Sequence, residues 1–237
     1  MANPFFRFKQ FTVWHDHCAM KVNTDGVLLG SWAFVDSTEY ILDIGTGSGL
    51  IALMMAQRFT QATIHAVEID EEAYLQARNN VLASPWNNRI EIIQNDFLNY
   101  QPAKNIKYDL IVSNPPYFTN SLKNIRRNKT IARHSENLPF GPFLEKISQL
   151  LNTEGIFAVI LPAENKEFEQ EALIHGLNCT KQLFIRTLSS KIISRQMLQF
   201  SKIRTQSIQK SELSIYKFHD IYSEEYIQLT REFYLNF

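Results

Sequence analysis

The sequence predicts an α/β fold, a mostly parallel sheet covered by helices on both faces, and three observations predict it. From Tyr40 onward, strand-like runs alternate with helical ones, the rhythm of βαβ units. Each strand-like run is continuously apolar rather than alternating, as expected of strands buried on both faces. Finally, 237 residues at 45% hydrophobic content can fill one sizeable core.

The elements follow in order. After an aromatic-rich start, Thr24 and Asp25 are candidate caps for a helix carrying Leu28, Leu29 and Trp32. YILDIG (40–45) reads as a strand, GTGSG (45–49) as a turn and LIALMMAQRF (50–59) as an apolar helix. TIHAVEID (63–70) is a second strand, and EEAYLQARNNVLA (71–83) a helix with acids in its first turn, where the helix dipole favours them. IEIIQND (90–96) and YDLIVS (108–113) are strands three and four, GPFLEKISQLL (141–151) a helix, GIFAVILP (155–162) strand five, and ENKEFEQEALIHGL (164–177) a helix. The tail turns β-like in QLFIRTL, RQMLQFSK and SELSIYKF, which predicts a β-hairpin-like edge, and SEEYIQLTREFYLNF (223–237) reads as a closing helix.

No run of eighteen apolar residues and no basic-then-apolar leader is present, so a cytoplasmic protein with no membrane partner is expected. Cys18 and Cys179 are far apart, which fits a reducing compartment. His15, His17 and Cys18 lack the spacing and the fourth ligand of a metal site, so no metal is expected. Net charge is zero, from 24 basic and 24 acidic residues, yet no acid lies between Asp109 and Glu136 or between Glu171 and Glu212. Lys123, Arg126, Arg127, Lys129 and Arg133 fall in the first stretch and Arg195 in the second. These six are candidate contacts to a phosphate-bearing partner. Residues 119–136, polar and basic, read as a substrate loop.

Two motifs carry chemistry. Asp43, Gly45, Thr46, Gly47 and Gly49 occupy a strand-to-helix turn, but a dinucleotide fingerprint needs glycine where Leu50 stands. Glu68 with Ile69, and Asp96 with Phe97, end the next two strands, on the edge where such sheets bind ligands. A carboxylate there can accept hydrogen bonds from a ligand. The second motif is Asn114-Pro115-Pro116-Tyr117 after strand four. Two prolines stiffen the turn and push Asn114 toward an extended backbone, which suits a polar group that must be aimed.

The acid two residues before alternating glycines resembles the S-adenosylmethionine loop of class I methyltransferases, and NPPY resembles the motif of amino-methyltransferases. That resemblance implies a Rossmann-like, seven-stranded, mostly parallel sheet and S-adenosyl-L-methionine as cofactor, with Asp43 positioning its amino group. It also implies that the Asn114 side-chain oxygen and the Pro115 carbonyl accept the N–H groups of an exocyclic amine, freeing its lone pair. Tyr117 would stack on the base, a contact worth ~1–3 kcal/mol.

More closely, FKQFTVWHDHCAMKVNTDGVLLGSWA, LDIGTGSGLIALMMAQR, VLASPWNNRI, SNPPYF and YSEEYIQLTREFYLNF resemble the tRNA1(Val) adenine-37 N6-methyltransferase family over nearly the whole chain. The resemblance implies a single methyltransferase domain over 1–237. Residues 1–36 would cap the cofactor site, with Thr24 and Asp25 at its methionine end. The partner would be the anticodon stem-loop of a tRNA, with no obligate protein partner. Three alternatives stay open: a guanine N2-methyltransferase of rRNA, a glutamine N5-methyltransferase of a release factor, and a non-catalytic RNA-binding scaffold. The release-factor enzymes typically carry an N-terminal helical domain, for which this chain leaves no room before its cofactor loop.

Overall fold

The computed structural model describes residues 3–103, 106–115, 140–163 and 165–237. Pro116, Tyr117 and the whole of the expected 119–136 loop lie outside them.

In chain order the elements are β1 (Phe5–Arg7), β2 (Thr12–Trp14), α1 (Thr24–Trp32), β3 (Tyr40–Ile44), α2 (Leu50–Arg58), β4 (Thr63–Glu68), α3 (Glu71–Leu82), β5 (Ile90–Gln94) and β6 (Tyr108–Ser113). There follow α4 (Phe140–Leu150), β7 (Leu151–Pro162), α5 (Lys166–Ile174), β8 (Asn178–Leu188), β9 (Arg195–Ser201), β10 (Gln209–Phe218), β11 (Ile221–Tyr222) and α6 (Glu224–Thr230). The main sheet runs β11-β10-β8-β9-β7-β6-β3-β4-β5.

That sheet has nine strands among the described residues, which corrects the expected seven. The seven from β3 to β9 are contiguous, and β10 and β11 extend them outward. The β8–β9 hairpin forms as expected, but β9 sits between β7 and β8, antiparallel to both. β10 then pairs parallel to β8, so the edge is more than a hairpin. The closing helix also ends sooner than the sequence suggested, at Thr230.

Alternation along the central strands divides the core in two. Ile41, Leu110 and Val112 point to one face, where they meet α1 and α2 through Leu28, Leu29, Leu53 and Met54. Leu42, Ile44 and Ile111 point to the other, against Phe143, Leu144 and Ile147 of α4 and Phe168 of α5. At Gly30 the helices α1 and α2 approach so closely that a Cβ would lie 2.5 Å from the Met54 sulfur.

The aromatic start, read only as aromatic, is the β1–β2 hairpin. It meets the end of the chain: the Lys9 amide donates to the Phe233 carbonyl at 2.8 Å, and Phe8 stacks on Tyr234 with ring centroids 6.0 Å apart. Among the described residues no helix is long and apolar enough to cross a membrane.

Candidate active site

Strands β3, β4 and β5 progress one way across the sheet, and β6 returns to the other side of β3. The crevice between β3 and β6 is therefore the topological switch point, where open α/β sheets bind ligands beyond the strands' carboxyl ends. Register brings the motifs together there. Ile44 pairs with Ser113 and with Val67, so Gly45, Asn114 and Glu68 form one row at the carboxyl edge. The Ser113 hydroxyl donates to the Ile44 carbonyl at 3.0 Å and locks β6 to β3 immediately before Asn114.

The glycine loop is built on positive φ angles: Gly45 at 69°, Gly47 at 57° and Gly49 at 81°. These are left-handed conformations that other residues adopt only at a cost. Among the described residues nothing lies within 4 Å of where a Cβ would project from Gly45 or Gly47, whereas one at Gly49 would touch Ala77 at 3.4 Å. The first two glycines thus face open space and the third faces helix packing.

Asp43 is completely buried. Its Oδ2 accepts from the Thr46 hydroxyl at 2.6 Å and from the Ala52 amide at 3.1 Å. Gly49 at the N-cap of α2 has no side chain to offer, so Asp43 caps the third amide of that helix from a distance. Oδ1 is buried with no hydrogen-bond partner among the described residues. Burial pushes the carboxyl up to about 7, with Glu68 adding to the rise and the Thr46 and Ala52 hydrogen bonds opposing it.

Glu68 is turned toward the backbone. Its Oε2 accepts from Gly47 N–H at 2.8 Å, and Oε1 from Ile69 and Asp70 N–H at 2.9 and 3.0 Å. Three of a carboxylate's roughly four acceptor sites are occupied, so the side chain ties the glycine loop to the end of β4. Ile69 beside it is 53% exposed and offers an apolar face. Asp96 caps the turn that follows, accepting from the Leu98 amide at 2.9 Å. The Phe97 ring is buried and packs edge-to-face on Phe143 at 5.4 Å.

Asn114 is half-buried and Pro115 buried. Asn114 makes no side-chain hydrogen bond among the described residues, in contrast with every acid of the glycine-loop side.

One sequence expectation changes, and several residues have partners that the sequence did not suggest. The N-cap of α1 is Asn23, whose side chain accepts from Gly26 N–H at 2.9 Å, while Thr24 and Asp25 lie within the first turn. Asp25 accepts from Arg195 Nε at 2.9 Å, so the one cation of the second acid-free stretch expected to meet RNA has an acidic partner within the fold. The second basic stretch is largely engaged: Arg186 pairs with Glu212 at 2.7 Å, Lys202 donates to the Leu151 carbonyl, and Lys181 lies over the Trp32 ring. His15 is a packing residue, with Nδ1 accepting from Val22 N–H and Nε2 against the Asn3 carbonyl.

Sequence reading missed Gln76 and Asn80. Both lie on the buried stripe of α3 with Ala73, Ala77 and Val81, where the helical period calls for apolar residues; two polar side chains at that spacing were the available signal. Asn80 Oδ1 accepts from Trp14 N–H, and its Nδ2 donates to the carbonyls of Trp14 and Ser48. Gln76 Oε1 accepts from His17 N–H at 2.7 Å while its amide donates to Asp16.

A mostly parallel sheet with a glycine loop, acids at successive strand ends and an Asn-Pro turn across the switch point is the arrangement of a methyltransferase. The family model described as Methyltransferase small domain matches residues 21–139. A predicted O-methyltransferase from Agrobacterium tumefaciens shares the fold, with a TM-score of 0.62 at 17% identity over 88% of this chain and 96% of that one. The tRNA1(Val) (adenine(37)-N6)-methyltransferase of Phocaeicola vulgatus is 51% identical over all of both chains. The enzyme of that name from Pseudoalteromonas translucida is 44% identical over 97% of this chain and 98% of its own. The chain belongs to the tRNA1(Val) (adenine(37)-N6)-methyltransferase family.

Proposed function

We propose that this chain transfers a methyl group from S-adenosylmethionine to N6 of adenine 37 in tRNA1(Val), as the names of its relatives say of them. The observation that supports the reading is the row Asn114, Gly45, Glu68 across the switch point, which brings the Asn-Pro turn beside the glycine loop.

The residues present fit the cofactor. The orphaned Oδ1 of Asp43 suits an ammonium, the open space before Gly45 and Gly47 lets a ligand approach the backbone, and the exposed face of Ile69 suits a purine ring. Thr24 stands in the first turn of the helix that opens the expected cap. The remaining acceptor capacity of Glu68 and Asp96 serves the ribose and the adenine. When bound, the cofactor supplies an electrophilic methyl whose leaving group is a neutral thioether.

The chain's own task is then to hold the acceptor nitrogen. Asn114 Oδ1 and the Pro115 carbonyl accept its two N–H groups, which withdraws the lone pair from the ring. Pro116 keeps the turn stiff and Tyr117 stacks on the base. Such preorganised acceptors act mainly by positioning. An unpaired base enters such a site without duplex opening, which suits the anticodon loop as partner. Lys123, Arg126, Arg127, Lys129 and Arg133 supply phosphate contacts, and the exposed Lys191, Arg204 and Lys210 extend them. The chain acts as one domain, with residues 1–36 as a cap over the cofactor and 119–136 as the substrate loop.

The test is labelled S-adenosylmethionine with total tRNA from cells lacking this gene, followed by nucleoside analysis. Label in N6-methyladenosine, absent with Asn114→Ala, is expected. Label in N2-methylguanosine of rRNA or in a release-factor glutamine would replace the reading. Neutralising Arg126 and Arg127 should lower the slope of log affinity against log salt by about 1 per lost phosphate contact.

A further inference from the structure

The segment from Trp14 to Asp25 touches both flanks of the active-site edge. At its start, the backbone of Trp14 is clamped by Asn80 and that of His17 by Gln76, both on α3. The Asn80 amide also reaches the Ser48 carbonyl at 2.8 Å, so one buried side chain joins this segment to the glycine loop. Midway, Cys18 is close enough to Glu68 and Asp70 that both add to the rise of its thiol to about 12, which burial mainly causes. At its end, Asn23 caps α1, and Asp25 meets Arg195, 170 residues distant, at 2.9 Å.

Arg195 opens β9 opposite Pro162, the last residue of β7. β7 neighbours β6, whose end carries Asn114. The segment therefore runs from α3, on the β4–β5 side, to β9, with the β3/β6 crevice inside its span. Its outer fastening is different in kind from the others. Asn80 and Gln76 are nearly fully buried, whereas the Asp25 and Arg195 side chains are 17% and 31% exposed. A half-buried bidentate-capable ion pair at the end of a strap is stable enough to hold it and accessible enough to open.

We propose that Arg195 is a positioning residue that latches the strap of residues 14–25, through Asp25, across the cofactor crevice. The pair holds the first turn of α1 against β9, and with it the wall beside the glycine loop. Opening the latch admits the cofactor, and closing it retains the cofactor while RNA binds. This rests on the methyltransferase reading above, and it separates Arg195 from the phosphate-binding residues.

The test compares Arg195→Gln, Arg195→Lys, Asp25→Asn and the charge-exchanged pair D25R/R195D in the full chain. Amide hydrogen exchange across residues 14–25 is measured without ligand, S-adenosylhomocysteine binding by calorimetry, and tRNA binding across a salt series. With Arg195→Gln we expect faster exchange confined to the strap. S-adenosylhomocysteine should bind about 5- to 20-fold more weakly, the KM for the methyl donor rising more than kcat falls. Asp25→Asn should match it, Arg195→Lys should restore most of the affinity, and the exchanged pair should recover part. The salt slope of tRNA binding should stay unchanged.

Unaltered strap exchange and cofactor affinity, with a flatter salt slope, would overturn the latch and make Arg195 an RNA contact. If wild-type protein failed to bind S-adenosylhomocysteine, the methyltransferase reading would fall, while strap exchange in Asp25→Asn would still decide whether the latch exists. Should Arg195→Gln fail to fold, the milder Arg195→Lys and Asp25→Asn carry the same decision.

Discussion

The two sides of the β3/β6 crevice are organised by different means. On the β3–β4 side the carboxylates are tied down: Asp43 holds Thr46 and Ala52, and Glu68 holds the amides of Gly47, Ile69 and Asp70. On the β6 side Asn114 has no such partner among the described residues, and its place is set by backbone register and the Ser113–Ile44 hydrogen bond. Acids on the first side preorganise the glycine loop itself. The second side presents an amide with no side-chain hydrogen bond among the described residues, and in the proposed reading that capacity serves the acceptor amine.

If that contrast holds, removing the free amide should cost activity and nothing else. Asn114→Ala is expected to lower kcat by about 10²- to 10³-fold, the scale of a lost preorganised hydrogen-bonding group. Cofactor affinity should stay within about twofold, the range of a residue outside that contact, and the melting temperature should not move. Single-turnover methylation beside calorimetry checks this, and a fall in cofactor affinity would merge the two sides.

On the tied side, Asp43→Asn should separate binding from stability. With its folded carboxyl raised to about 7 from 3.8, the folded chain keeps a proton that the unfolded chain releases between those values. Unliganded stability therefore contains a penalty that grows as pH rises from about 4 to about 7. Asp43→Asn should remove that slope in urea titrations at a series of pH values. It should also weaken S-adenosylhomocysteine binding about 10- to 100-fold, since a charge-assisted hydrogen bond to the ligand's ammonium is lost. In the wild type, the ammonium favours the ionised carboxyl, so binding should weaken as pH drops below about 7.

Smaller effects sharpen the register argument. Ser113→Ala deletes only the lock between β6 and β3. It should cost about 1 kcal/mol of stability and a several-fold loss in kcat/KM without altering cofactor binding. The least effect on chemistry is expected at the opposite edge of the sheet, where His65, Tyr108 and Tyr100 share a buried hydrogen-bonded cluster. Burial holds the His65 imidazole below its ordinary 6.5, with Glu91 pulling it partly back. The folded state binds that proton more weakly than the unfolded, so stability is kept above pH 6.5 and lost as pH falls through the lower folded value. Tyr108→Phe should cost about 1–2 kcal/mol in chemical denaturation and leave kcat unchanged.

Much of this was legible in the sequence because it depends on local rules. Apolar runs at strand length, acids in first turns and Gly45, Gly47 and Gly49 where φ is positive all follow from periodicity and backbone sterics. Asp43, Glu68 and Asn114 stood out as polar residues closing apolar strands. What escaped depends on partners distant in the chain. Arg195 reads as one more cation in an acid-free stretch, because its acid is 170 residues away. Phe97 reads as a ring beside an acid until Phe143 is found against it. Asn80 draws no notice in the sequence until its side chain is found bonded to Trp14 and Ser48.

The sequence by itself determined the layered α/β class, the order of strands and helices from β3 to β10, and which residue types stand at the strand ends, since each is set by side-chain period and backbone preference over a few residues. Only the tertiary structure decided that β10 and β11 extend the sheet, that Glu68 faces the backbone, and that Asp25 takes Arg195. Those outcomes turn on which groups meet when the core closes. Pairing energies between remote residues are fixed by packing and register, and neither leaves a local mark in the chain.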